Sequence, residues 1–563
     1  MKKYNLFKVL AITVFVCWLL TLFIPGSYID YYTGATVSNG ISGVGVWGLL
    51  SNLSVSIAYF NGIAVFLIAL ACFYAVLNKT ESYNAFVSKV ALLFKGKEKL
   101  LVVITTLVFG ILALFVSDFL ILLVFAPFVY KVMKELSIDK KIILSSTLVA
   151  SLIGSMCGIY NSTLFTAFNL ELNTMLLVKV ILFVVSIAVL IILTAPKNQV
   201  KETVKKTVSK TGKKMAKEEE KTKPVKKVTS KSAEKKVNKA VYATLTILLG
   251  TIGINKFYAG KVKSGILSIL FCWTGIPTIL SIAEFITVLT EKKDKNGKVS
   301  ATSERRRNVS FVVSLVIFTL FVIGSVIPWE SLIEDCTVFS DLNAWISDLS
   351  IGNYAVFNNI IGAPVAMDQT LGTSSGIIST YGSWVMTDIA ILLFILTVII
   401  GVINNIKIND FIATVTSGTK KILPVAITAM LISIVLVIMV TTGINVTITD
   451  AILSLTEGFN IATATLATMV GSVLTADFYY LISTVGTVFS VVVSNQDYFG
   501  VVALIIQSIY NLMMIIAPTS VGLIIGLYYL DIPYNKWFKF IWKLLLVLLI
   551  IIIITSIVIY VLI

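Results

Sequence analysis

From Leu544 to Ile563 the chain runs for twenty residues without one charged side chain. A helix of that length rises about 30 Å, enough to cross the hydrocarbon core of a bilayer. Further apolar runs end at Phe23 and cover Ser56–Leu77, Met175–Leu193, Phe311–Ile327, Trp384–Ile403 and Ile422–Met439. In lipid every backbone N–H and C=O must find a partner inside the spanning structure, and runs this long satisfy that as helices. The expected fold is therefore an all-α polytopic membrane protein. Composition agrees: 57% of the 563 residues are apolar and 13% are charged, against about 25% charged in soluble chains. The mean hydropathy is +0.96.

A net charge of +16 could suggest a nucleic-acid partner, but its distribution argues otherwise. Between Lys197 and Lys239 sixteen lysines stand against five acids, so eleven of the sixteen net charges sit in one insert. That tract has too few apolar residues to bury a core and no interleaved aromatics for base stacking. It reads as a disordered cytoplasmic linker, either solvated or resting on anionic lipid head groups. The five cysteines (Cys17, Cys72, Cys157, Cys272, Cys336) lack metal or redox spacing, and the chain has no histidine. No Gly-rich Lys-Ser/Thr phosphate loop is present, which argues against a nucleotide-driven pump. Neither an enzyme nor a resident cofactor is expected. A coupling ion, sodium or a proton, stays open.

Cytoplasmic loops collect lysine and arginine. Lys2, Lys3 and Lys8 precede the first run, so the N-terminus is expected in the cytoplasm; no small-x-small cleavage site follows it. Residues 26–55 read as an external loop and Ser56–Leu77 as an inward span. In the second half Phe311–Ile327 runs outward, and residues 329–383, with six acids and no lysine, form an external loop. Trp384–Ile403 runs inward, and Lys407, Lys420 and Lys421 mark the cytoplasm before Ile422–Met439.

Four stretches do not read as simple spans. Leu100–Val132 is too long for one crossing, holds Ser117-Asp118 at its middle and has lysines at both ends. It is a hairpin, either two full spans or a re-entrant loop. Residues 142–170 pass through Gly154-Ser155-Met156-Cys157-Gly158 and then Asn161-Ser162-Thr163. Phe459–Val493 carries Gly471-Ser472 and Thr475-Ala476-Asp477 between flanks without lysine, so it enters from outside. Ile505–Phe540 carries Gln507, Ser508 and Asn511, then Ala517-Pro518-Thr519-Ser520. Proline among hydroxyls at membrane depth reads as a broken helix, as in secondary carriers. The plain alternative is a kinked span whose hydroxyls bond to the preceding turn. Each half thus presents a hairpin and then a broken span, entered from opposite sides: two inverted repeats. Ile159-Tyr160-Asn161 and Ile509-Tyr510-Asn511 echo each other across them.

The last stretch resembles the DcuC/YfcC-type carriers (C4-dicarboxylate anaerobic carrier family, ion transporter superfamily). The resemblance lies in Asn511, the run Ala517-Pro518-Thr519-Ser520, Gly522, Gly526-Leu527, and Ile532-Pro533-Tyr534 through Lys536-Trp537 to Lys539. It implies a secondary transporter with elevator-like alternating access over two carrier halves, residues 1–196 and 308–563. It also implies a re-entrant first hairpin with an acidic pair at its tip, and Asn-Pro in the first broken span. Here the tip keeps Asp118 beside Ser117, and Ser162 stands where the proline would be.

Between the halves lie the linker 197–240, a separate module at 241–290 and a basic linker at 291–307. The module carries Gly250, Gly253, Asn255-Lys256-Phe257-Tyr258-Ala259-Gly260, Gly265 and Glu284. It resembles the TM2 domain, with Asn255 in place of that family's customary His and Glu284 as its acidic residue. Basic clusters on both sides make it a two-span insert that starts and ends in the cytoplasm. It reads as a passenger or as a docking module for a protein partner.

If the repeats fold together, Asn161, Ser162, Thr163, Ser472, Asn511, Thr519 and Ser520 are expected to bind substrate, and Asp118 and Asp477 to couple an ion. Half-helix N-termini can hold a carboxylate there, and unwound carbonyls a cation. An acid inside the membrane costs about 2.5–3.5 kcal/mol on insertion scales, which marks it as functional by default; the plain alternative is a helix cap. All arginines lie at 305–307, and Lys179 is the only lysine well inside a carrier span. Two acids without a facing cation favour a substrate carrying an amine. Amino acids, basic ones included, are therefore expected ahead of C4-dicarboxylates. The competing reading is a non-transporting scaffold or receptor on a degenerate carrier, with the TM2-like module recruiting partners. Symport or antiport, and a homodimer, are left open.

Overall fold

The computed structural model describes residues 4–30, 32–116, 118–172, 175–194, 236–270, 272, 275–301, 304–352, 354–355 and 379–563. Ser117 and most of the Lys-rich tract lie outside these residues. The chain is an all-α polytopic membrane protein. Among the described residues six helices are long and apolar enough to cross a bilayer, with a seventh if the bent pair within Val46–Leu77 counts as one. Leu176–Thr194 illustrates why they form. It buries Lys179, Leu182, Phe183, Ser186, Ile187, Leu190 and Thr194 at three- and four-residue spacing. Its other face exposes Leu177, Val180, Ile181, Val184 and Ile192. A helix apolar on both its packed and its outer face belongs in lipid. Tyr534–Leu562 repeats the pattern, burying Trp537, Ile541, Leu544, Leu548, Ile552 and Ile559.

The helices fall into two groups. Tyr4–Phe23, Val46–Leu77, Met386–Ile403 and the 34-residue Ile408–Thr441 pack mainly on one another. The second group holds both hairpins and both broken spans. Helix Glu98–Phe115 breaks at Val116–Asp118, then continues as the tight turn Phe119–Val124 and helix Ala126–Glu135. Helix Ala150–Met156 stops, and Ser162–Phe168 resumes after an open stretch. In the second half Ile461–Thr475 gives way at Ala476–Asp477 to Phe478–Val492, and Phe499–Met514 is separated from Val521–Leu530 by the proline-containing break. Both halves also carry a single wide turn, at Ser145–Val149 and Ile482–Gly486, a feature frequent near functional sites.

Close helix contact needs glycine where backbones meet. A Cβ on Gly154 would lie 2.2 Å from the Gly110 carbonyl oxygen, so the first hairpin and first broken span touch backbone to backbone.

Several boundaries differ from expectation. The loop expected at 26–55 contains a β-hairpin, Gly26–Ile29 with Thr36–Gly40, and helix already begins at Val46. The hairpin docks on a distant turn: Ser27 N–H donates to the Gly443 carbonyl (3.2 Å) and the Thr447 hydroxyl to that of Pro25 (2.7 Å). The helix expected from Ile422 begins earlier, at Ile408, and takes in Lys420 and Lys421. The expected loop 329–383 includes helices Trp329–Leu332 and Val338–Asp348. Helix Glu304–Val326 takes in the end of the expected basic linker.

The inserted module is a cluster of four helices, Lys239–Leu249, Ile254–Tyr258, Val262–Leu270 and Ile276–Thr290, the longest having 15 residues. Glycines at positive φ, Gly253 (74°), Gly260 (80°) and Gly275 (70°), divide them, since such backbone ends a helix. Strands Lys236–Asn238 and Lys298–Ser300 pair antiparallel and bring entry and exit together. Ile276–Thr290 packs along Glu304–Val326.

Candidate functional site

A helix that stops inside a packed bundle leaves N–H groups at one end and carbonyls at the other, and something must satisfy them. Here the polar residues at the four breaks do so. At the first hairpin Asp118 accepts from Leu120 N–H (2.9 Å) and caps the following turn. Asp477 does the same at the second hairpin, accepting from Tyr480 N–H (3.1 Å). Asn161 caps Ser162–Phe168 through Leu164 N–H (3.0 Å), and Ser520 caps Val521–Leu530 through Leu523 N–H (3.4 Å). Each break is also tied to its own hairpin, by Ile159 N–H to the Leu114 carbonyl (2.9 Å) and by the Thr519 hydroxyl to the Val473 carbonyl (2.9 Å).

These ties draw the breaks around one cavity of about 330 Å³, within the size range of small-molecule sites. Asp118, Asn161, Ser162, Thr163, Asp477, Asn511, Thr519 and Ser520 all line it. Ser472 does not: its hydroxyl bonds back to the Thr468 carbonyl (2.6 Å), the plain alternative for a hydroxyl four residues along a helix. The opposite wall comes from the other helix group through Ile63, Met386, Ile432, Ser433 and Leu436. Among the described residues that line the cavity Asp118 and Asp477 carry formal charge, and no lysine or arginine is among them. Capping uses one oxygen of each carboxylate in the bonds above.

Sequence reasoning left Gln507 and Ser155 out of the candidate set. Gln507 is buried and donates through Nε2 to the carbonyls of Ser155 (3.0 Å) and Gly158 (3.1 Å), across the two halves. Those two acceptors fix which end of the amide is nitrogen. Its Oε1 and the Ser155 Oγ are both buried without a hydrogen-bond partner, and both residues line the cavity. The available signal was spacing: Gln507 precedes Asn511 by four residues, one turn along the same face. Asn511 in turn donates to the Gln507 carbonyl (2.9 Å). Tyr510 lines the cavity too, and its hydroxyl donates to the Ala476 carbonyl (3.1 Å). Lys179 does not line the cavity but donates to the Gly158 carbonyl (3.0 Å) behind it.

The inserted module has a separate polar centre. Buried Glu284 accepts from the Tyr242 hydroxyl (2.5 Å) and from Asn255 Nδ2 (3.2 Å), and pairs with Lys256. Asn255 Nδ2 also reaches the Thr246 hydroxyl (3.1 Å).

Residues 235–286 match the TM2 domain. Over 52 residues, 9% of this chain, the module is 58% identical to the uncharacterized membrane protein YozV of Bacillus subtilis (strain 168). The match covers 66% of that protein, slightly less than two thirds of its length. No solved structure matches the chain. The chain is thus a multi-pass membrane protein whose two groups of helices are accompanied by a module similar to the TM2 domain.

Proposed function

We propose that the chain is a secondary active transporter of small organic solutes bearing an amine, amino acids ahead of C4-dicarboxylates, working by elevator-like alternating access. The observation that carries this reading is a cavity at which two hairpin tips and two broken spans meet, with two carboxylates and no cation among the described lining residues. An ammonium group would be matched by Asp118 and Asp477, while the amide of Asn511 and the hydroxyl of Ser162 suit a carboxylate or a polar side chain, and the Thr519 hydroxyl, which donates to Val473, can accept from one. The resemblance to DcuC/YfcC-type carriers supports the transport class. The departures at Ser117-Asp118 and Asn161-Ser162 agree with a substrate other than a dicarboxylate. A thermal-shift screen of the purified protein tests this: basic and neutral amino acids should raise the melting temperature, and succinate should not. Stabilisation by C4-dicarboxylates alone would reverse the substrate assignment.

In this reading the N-terminus and the inserted module face the cytoplasm, on the lysine distribution. A single cysteine at Ser300 in a Cys-free background should resist labelling from outside intact cells; labelling there would reverse the orientation. A second reading, a non-transporting scaffold or receptor, is favoured by one observation: both acids serve as helix caps, so their place at the breaks has a structural explanation. The Lys-rich tract would rest on anionic lipid in either case.

A further inference from the structure

Among the described residues Lys179 is the only buried lysine. Its ammonium donates to the Gly158 carbonyl (3.0 Å) and stands 5.5 Å from the centre of the Phe165 ring, both favourable for a cation. No carboxylate pairs with it: the ion pairs among the described residues are Lys140–Asp531, Lys236–Asp294 and Lys256–Glu284. What Lys179 faces is the end of helix Ala150–Met156, where orphan carbonyls form the negative pole.

That helix end is a built site. Gln507 holds the Ser155 and Gly158 carbonyls from the cavity side, so closely that a Cβ at 158 would lie 2.9 Å from Gln507 Nε2 and push that amide aside. Two further oxygens, Gln507 Oε1 and Ser155 Oγ, are buried and unpartnered. A cluster of carbonyl, amide and hydroxyl oxygens at a broken helix is the ligand set by which carriers hold a small coupling cation. Here a cation attached to the next helix already stands on one of these oxygens, the Gly158 carbonyl, and leaves the other two unpartnered.

We propose that Lys179 is a tethered cation that occupies, at the first break, the place a coupling ion would take. The wild-type protein then needs no dissolved cation at this helix end, and removing the ammonium opens a site for one. The word "coupling" rests on the carrier reading; the cation site itself does not.

Melting temperatures of the purified full chain test it in matched sodium chloride, methylammonium chloride and choline chloride. Wild type should melt alike in all three. Lys179→Met should melt lower in choline, and sodium or methylammonium should restore it, while choline is too large to enter. Lys179→Gln keeps a neutral donor for Gly158 but no charge, and should show the same cation response from a higher starting point. Lys179→Arg keeps the charge and should show none. Cation-independent melting of both neutral variants overturns the proposal, as does an equal sodium shift in wild type and variants. In proteoliposomes, L-lysine uptake by wild type should survive replacement of sodium by choline, whereas Lys179→Gln should lose about 5- to 150-fold in choline and recover in sodium. No uptake by any form, together with the expected melting pattern, would refute the carrier reading and leave the tethered cation standing.

Discussion

The two broken spans solve one problem with different chemistry. In each half the helix that follows the break reaches back to satisfy the carbonyls left at it. In the C-terminal half the donors are neutral: Trp537 Nε1 to the Ile515 carbonyl (3.0 Å) and the Tyr534 hydroxyl to that of Ile516 (2.5 Å). In the N-terminal half the donors are a charged ammonium, Lys179, and the amide of Gln507 lent by the other half. The caps on the resuming helices, Asn161 and Ser520, are equivalent. Both breaks thus receive donors from the span that comes next, but among the described residues only the first break carries a built-in charge.

The sharpest way to break that comparison is at the acids. Asparagine caps helices as well as aspartate does, so Asp118→Asn removes charge while sparing the fold. Uptake of an amine-bearing solute should be abolished with normal insertion. Asp477→Asn should be milder, on the reading that this residue lies nearer external water. Equal losses at both would show that the hairpins act as equivalents.

Next come the amides. Asn161→Ala removes both a cap and a cavity group, whereas Asn511→Ala removes an amide that bonds to its own helix. Each should weaken apparent affinity about 5- to 150-fold, from 1–3 kcal/mol per unsatisfied group. Only Asn161→Ala should also lower the melting temperature measurably.

Glycine separates the halves again. A Cβ at Gly154 meets the Gly110 carbonyl, backbone that cannot step aside, while at Gly526 it meets the tip of Leu144 at 2.3 Å. Gly154→Ala should therefore lower melting temperature more than Gly526→Ala, which the leucine can absorb by changing rotamer. The reverse order would mean that the first hairpin is not packed as described. The smallest effect is expected from deleting 197–307 with a short flexible joint. The module's ends are paired at Lys236–Asn238 and Lys298–Ser300, and solute uptake should persist. Complete loss with normal insertion would make the module part of the carrier cycle.

The breaks were legible because polar side chains and proline in apolar runs are costly and therefore placed for a reason. Asn161, Asn511 and Pro518 announced themselves that way, and so did both acids. The dual use of those acids was less visible: capping and lining are compatible, and only coordinates show both together. Ser472 was overread, because a hydroxyl can be satisfied by its own helix at Thr468. Gln507 was underread for the converse reason: its partners, Ser155 and Gly158, lie some 350 positions away in the chain. The same separation hid the contact between the Ser27 hairpin and Gly443. In the module Gly253 and Gly260 stand out in the sequence, but that their backbone takes positive φ and divides the helices is visible only in the fold.

The central claim is that the cavity between the halves moves a solute by means of Asp118. The direct measurement is uptake of labelled L-lysine and of labelled succinate into proteoliposomes holding wild type, Asp118→Asn or no protein. Saturable L-lysine uptake is expected of wild type, none above the protein-free level of Asp118→Asn, and no saturable uptake of succinate. Equal L-lysine uptake by wild type and Asp118→Asn, or protein-free levels of both solutes with correctly inserted wild type, would contradict it.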